Sequence, residues 1–183
     1  MRIKVVLATL VAVFAATAAA CTHDPDPSPP PTASPTAAPS STPAPPPMPP
    51  AAQTDSPTGA EAFARYWLTA LDYAYQTGNT ESFRQLGACG TCRALSDGID
   101  HLYQEGGHFE GGGFKPVKLS VSDYRPSKSA KVAVFYSREL RRAVHGSGDV
   151  EEAPAAARLG FLLNLTRSHT GWVVVTAQAA EEK

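Results

Sequence analysis

The chain has 183 residues, and its 16 Lys and Arg against 17 Asp and Glu leave a net charge of −1. That balance excludes the basic excess a nucleic-acid protein needs to neutralise phosphates. The composition is uneven: 14 of the 17 prolines fall between Pro25 and Pro57, and every glycine lies at or beyond Gly59. The unevenness predicts three parts: a leader over 1–20, a proline-rich segment over 21–57, and a domain over 58–183, long enough to bury roughly two thirds of its unfolded surface.

The leader opens Met1-Arg2-Ile3-Lys4 and continues as an uncharged, largely apolar run from Val5 to Ala20. A positive start followed by a short apolar run is the form of a signal peptide, and the run falls short of the about 20 residues that span a bilayer. It ends Ala18-Ala19-Ala20-Cys21, which resembles a bacterial lipobox except that Ala18 stands where Leu is usual. That resemblance implies cleavage before Cys21 and acylation of its thiol, palmitate-type chains holding the protein on the extracytoplasmic face of a cell membrane. An ordinary secretory signal with an incidental cysteine is the alternative.

From Thr22 to Pro57 the residues are nearly all Pro, Ala, Thr and Ser. The segment has too little apolar surface to offset the entropy of ordering it, so a disordered tether is expected. In polyproline II, at about 3.1 Å per residue, it reaches on the order of 110 Å. The Pro-x-x-Pro match from Pro43 to Pro46 is also the form read by proline-docking modules.

The first predicted element of the domain is a helix capped by Thr58, with Glu61 reaching back as in a capping box. Ala60, Phe63, Ala64, Trp67, Leu68, Leu71, Ala74 and Tyr75 recur at helical spacing as one buried stripe, and Gly78 is placed to end it. A short helix follows from Glu81 to Leu86, capped by Thr80, with Phe83 and Leu86 inward. A third starts near Cys92, shows Leu95, Ile99 and Leu102 at helical spacing, and stops at Gly106-Gly107. The period then changes to 2. Val117, Leu119 and Val121; Val132, Val134 and Tyr136; and Leu159, Phe161, Leu163 and Leu165 alternate with their neighbours, and Trp172 to Ala177 closes the set. Turns are expected at Arg125-Pro126-Ser127, His145 to Gly148, and His169-Thr170-Gly171. Short links imply antiparallel pairing. Helices in a block before strands in a block predict an α+β fold, with the N-terminal helices on one face of a curved antiparallel sheet.

Residues 60 to 67 (Ala-Glu-Ala-Phe-Ala-Arg-Tyr-Trp), 73 to 80 (Tyr-Ala-Tyr-Gln-Thr-Gly-Asn-Thr) and 171 to 175 (Gly-Trp-Val-Val-Val) carry a resemblance. They are similar to the cone-shaped, cystatin-like superfamily of nuclear transport factor two and ketosteroid isomerase. More narrowly, the chain resembles an actinobacterial lipoprotein family, the domain-of-unknown-function family numbered 6318. The resemblance implies a pocket between the helices and the concave sheet face, in a superfamily of isomerases, dehydratases, binders and interaction modules. It fixes no catalytic residue.

Cys89-Gly90-Thr91-Cys92 is the sharpest local motif. Outside the cytosol the pair is expected as a disulfide staple between the second and third helices; the alternatives are thiol oxidoreductase chemistry or half of a zinc site. His101 and His108 match no known ligand spacing, so no metal or cofactor is expected. For acid-base chemistry, Asp72, Tyr75, Asp123, Tyr124 and Tyr136 supply suitable types, with Asp72 read as solvated. Trp67, Tyr75 and Tyr136 are the candidate pocket residues. Arg138-Glu139-Leu140-Arg141-Arg142 reads as a solvated strand edge. The leading functional expectation is a non-enzymatic envelope lipoprotein that binds an envelope protein or a small apolar ligand. An isomerase- or dehydratase-type pocket enzyme and a thiol-disulfide oxidoreductase are the rivals.

Overall fold

A computed structural model describes residues 43–180. The leader, Cys21 and the first part of the proline-rich segment lie outside the described residues. Helix α1 spans Pro57–Thr77. Its N-cap is Ser56, whose hydroxyl accepts the Gly59 N–H at 2.9 Å, and Pro57 fills the first helical position, where a missing N–H costs nothing. The cap therefore sits two residues before the expected Thr58, and Glu61 pairs forward with Arg65 at 3.4 Å instead of reaching back. Gly78 ends the helix in the left-handed conformation, φ 73°.

Helix α2, Glu81–Arg84, is shorter than expected. Thr80 does not cap it; the Asn79 side chain accepts the Glu81 N–H at 3.1 Å, and the Thr80 hydroxyl donates to Asp100 at 2.8 Å. Arg84 bridges to Asp97 at 2.7 Å and to Asp100 at 2.6 Å, tying α2 to helix α3, Gly90–Gln104. Cys89 caps α3, its sulfur accepting the Cys92 N–H at 3.0 Å.

Seven antiparallel strands follow: β1 His108–Gly111, β2 Phe114–Arg125, β3 Ser129–Arg138, β4 Arg141–Val144, β5 Val150–Ala153, β6 Ala156–Ser168 and β7 Gly171–Ala179. One panel has the order β2-β3-β6-β7 and the other β1-β4-β5. The chain passes between panels three times with two intervening residues: Gly112-Gly113, Glu139-Leu140 and Pro154-Ala155. Partners in one panel continue into partners in the other, so the arrangement is a sheet broken along a crease. The loop expected between β3 and β6 thus holds β4 and β5, and β1 was also unforeseen.

Inward alternation holds along β3 and β6, where Val132, Val134, Leu163 and Leu165 are buried. It fails at Val117. Pro116 pairs with Tyr136 and Lys118 with Phe135, so Val117 is the extra residue of a bulge and stands 49% exposed. Val175 is the corresponding extra residue in β7, between the pairs of Thr176 with Asn164 and Val174 with Leu165. Phe63, Trp67, Leu68 and Leu71 of α1 close over the inner sheet face together with Phe83 and Ile99.

The expected tether over 21–57 does not run as far as residue 57. Residues 43–57 pack back along α1 as a strap. Tyr66 and Tyr73, a face separate from the expected stripe, donate their hydroxyls to the carbonyls of Pro46 at 3.0 Å and Pro43 at 2.9 Å. Seven helical residues rise about 10.5 Å, and three residues of polyproline II span about 9.3 Å, so the two repeats match. Beyond a 3-10 turn at Pro50–Gln53, the buried Trp172 indole donates to the Thr54 carbonyl at 3.0 Å. Asp55 accepts the Ser127 N–H at 2.8 Å and hydroxyl at 2.9 Å. Those hydrogen bonds hold its carboxyl below the usual range.

Candidate functional site

The three aromatic residues expected around a pocket belong to one row of packed rings. Trp67 of α1 lies 5.3 Å from Phe83 and 5.2 Å from Phe161. Phe161 stacks on Tyr136 at 5.8 Å, Tyr136 meets Phe114 edge-on at 5.0 Å, and Phe114 meets Tyr75 at 5.8 Å. Tyr75 continues to Phe109 at 4.9 Å. The tilted and edge-to-face contacts are those aromatic quadrupoles favour. Burial pushes the Tyr136 phenol up to about 12 and raises that of Tyr75 as well. Rings at 5 to 6 Å leave no room for a ligand between them. On the interior face Trp67, Tyr136 and Phe161 pack on one another, and at the end of the sheet Tyr136 and Phe161 also line an open depression of about 500 Å³ with Leu159 and Gly160.

The largest departure from the sequence reading is Arg141. Expected at a solvated edge, it is 5% exposed and sits at the crease, at the start of β4. Its guanidinium lies 3.7 Å from the Tyr75 ring centre and 4.5 Å from that of Phe114, and its Nη2 donates to the Gly112 carbonyl at 2.9 Å. Gly112 takes φ 80°, and a Cβ there would strike the Arg141 side chain, so glycine is required on both counts. The Arg141 Nε is buried with no hydrogen-bond partner, and among the described residues no carboxylate forms an ion pair with it. Desolvation lowers its pKa, but a guanidinium stays charged.

Asp72, also read as solvated, is half-buried beside this cluster. Its two oxygens accept from the Phe114 N–H at 3.2 Å and the Gln76 amide at 2.8 Å. Burial raises its pKa, opposed by the Phe114 bond and by the charge of Arg141. Asp123 lies away from this cluster, bridged to Lys131 at 2.8 Å, and Tyr124 donates to Asp55 in the strap.

Between α3 and the β1-β4-β5 panel runs a groove of about 320 Å³. Gly98 and Leu102 form one wall, Ala143 and Ala153 the other, and Phe109 and Arg141 line it from the crease. At its rim His101 stands 3.5 Å from Glu105, and His145 3.9 Å from Glu151. None of Trp67, Tyr75 or Tyr136 lines it. The sequence carried one usable signal, the run Gly111-Gly112-Gly113, since glycine within a strand marks a bend or a close approach.

Cys89 and Cys92 form a disulfide, with both residues buried. Thr91 between them donates to the Ala177 carbonyl at 2.7 Å, and the Val174 N–H donates to the Leu86 carbonyl at 2.9 Å, so the stapled joint is pinned to β7. Among the described residues no three His, Cys, Asp or Glu side chains converge as a metal site.

The match that decides the family covers residues 32–178, to the family described as "Family of unknown function (DUF6318)". The chain belongs to that family. No curated protein matches it. Solved structures do. The intermembrane space region of chloroplast protein ARC6 is 14% identical with a TM-score of 0.50, over 69% of this chain and 98% of that one. A putative aromatic ring hydroxylase from Novosphingobium aromaticivorans is 9% identical with a TM-score of 0.49, over 70% and 92%. A protein of unknown function with a cystatin-like fold from Nostoc punctiforme is 9% identical with a TM-score of 0.41, over 67% and 89%. At these identities the likeness concerns fold alone. The family member is an α+β protein with its N-terminal helices packed on antiparallel strands, as its helix and strand order implied.

Proposed function

We propose that this member of the family is a non-enzymatic binding module of the cell envelope, anchored through a lipid on Cys21 and taking a small, largely apolar ligand in the groove between α3 and the β1-β4-β5 panel. The observation that carries the reading is the packed row of rings. Where a pocket enzyme would place an acid and a base around substrate, Tyr75 and Tyr136 each pack edge-on against Phe114, and Asp72 accepts hydrogen bonds from Phe114 and Gln76. The groove beside them is open and mainly apolar in its walls. Burial of both cysteines supports a staple over a redox centre, because thiol exchange needs an accessible sulfur.

Native mass spectrometry of the protein purified from its own host tests the reading. A small molecule of defined mass, lost when Gly98→Phe fills the groove, is the expected result. An empty groove and retained capture of an envelope protein in Gly98→Phe would overturn it. For the anchor, metabolic fatty-acid label is expected in the wild-type chain and absent in Cys21→Ala; equal label in both would remove the anchor from the proposal.

A further inference from the structure

Resting on that reading of the groove, we propose that its ligand carries a carboxylate, bound by Arg141 at the crease end, with an apolar body lying along Leu102, Ala143 and Ala153. A guanidinium that is 5% exposed has lost most of its hydration. The fold returns only part of that loss. One carbonyl, that of Gly112, accepts from Nη2, and the rings of Tyr75 and Phe114 face the charge. Nε has no partner, and no described carboxylate reaches ion-pair distance. Arg138, three residues earlier at the same crease, also has a buried, unpartnered Nε while its Nη2 donates to the Pro154 carbonyl at 3.0 Å. Arg141 therefore brings to one end of an apolar-walled groove a buried charge with no ion-pair partner among the described residues, and Arg138 adds a second positive charge near it.

The nearest acidic groups form no ion pair with Arg141. Asp72 attracts the Arg141 charge without reaching ion-pair distance, its oxygens accepting from Phe114 and Gln76. Glu105 and Glu151 stand at the rim with His101 and His145 beside them, at 3.5 and 3.9 Å. A carboxylate suits this end of the groove because an anion meeting a guanidinium forms a charge-assisted hydrogen bond, stronger where water is excluded. A volume of about 320 Å³ is at the small end of ligand sites and fits a short aliphatic or aryl acid.

The test is a titration of the full chain carrying Cys21→Ser, so that no acyl group competes, followed by amide NMR with octanoate and with its neutral counterpart 1-octanol. Octanoate is expected to saturate, with shifts at Gly98, Leu102, Phe109 and Ala143, and 1-octanol to bind tenfold or more weakly. Arg141→Gln is expected to bring the two within about twofold of each other. Gly98→Phe, which introduces a side chain where a Cβ meets nothing within 4 Å, is expected to remove both and to leave the fold intact. Equal binding of octanoate and 1-octanol by the chain with Arg141 in place would overturn the carboxylate assignment and leave the apolar groove standing. Shifts from neither probe would overturn both. Should Arg141→Gln fail to fold, the octanoate to octanol ratio and Gly98→Phe still decide.

Discussion

Two glycines show how a single position is governed by what lies next to it. Gly59 and Gly98 are both helical, and by propensity alone each Gly→Ala change gains up to about 1 kcal/mol. At Gly98 a new Cβ meets nothing, and Gly98→Ala is expected to raise stability by about 0.5–1 kcal/mol. At Gly59 the new Cβ collides with the carbonyl and hydroxyl oxygens of Thr54, which the strap holds in place through Trp172. Gly59→Ala is therefore expected to lower stability by about 1–3 kcal/mol despite its better propensity. Urea denaturation of the two variants checks the opposite signs; a gain at both positions would mean that the strap yields freely. Arg141 obeys the same logic in reverse, since its neighbour Gly112 supplies both the space and the carbonyl.

The strap is an element without regular hydrogen bonding of its own, held by α1 through two tyrosine hydroxyls. Each such bond contributes about 0.5–1.5 kcal/mol. Replacing Tyr66 and Tyr73 together by Phe is expected to cost roughly 1–3 kcal/mol and to speed proteolytic cutting within 43–57 while the helix and sheet stay resistant; unchanged cutting would show that Ala52, buried in the core, Met48, packed against it, and Asp55 hold the strap unaided. The disulfide is a second local fastening. Cys89→Ser with Cys92→Ser is expected to lower stability by about 2 kcal/mol, read as a shift in melting temperature, with groove binding retained. Loss of binding in a folded double variant would assign the pair a direct role. At this scale the sequence was readable where one face alone was buried: the alternation of Val132, Val134 and Tyr136 needs nothing beyond a half-buried strand. It misled where a second layer intervened. Tyr66 and Tyr73 lie outside the main stripe because proline backbone, not a sheet, covers them. Val117 carries the parity of Leu119, yet the bulge beside Pro116 turns it outward; a proline inside a strand was the available warning. Arg141 and Ala143 share the groove-facing parity of β4, but the charged run around them has no apolar alternation to announce a buried face.

For the molecule as a whole, the buried phenols set how the fold responds to alkali. Tyr136 is raised to about 12, and Tyr75 and Tyr103 are also raised, each chiefly by burial. Between about pH 10 and pH 12 the unfolded chain loses phenolic protons that the folded chain keeps. Unfolding then releases protons, so stability is full below pH 10 and falls as pH rises toward 12, by up to about 1.4 kcal/mol per pH unit for Tyr136, with Tyr75 and Tyr103 acting in the same direction. The urea midpoint is expected to drop steeply from pH 10 to 11.5, and Tyr136→Phe to flatten that drop; parallel curves for the two proteins would contradict the assignment. The strap has a different consequence for the molecule, one of mechanics. It runs antiparallel to α1, with Pro43 opposite Tyr73 and Pro46 opposite Tyr66, before the chain reverses at Ser56 into the helix. A tensile load entering at Pro43 along the helix axis meets these fastenings in shear, sharing force between them. The same load applied at a right angle unzips them in turn. A load at Pro43 reaches these fastenings before α1, and their release leads next to Ala52, which the strap buries in the core.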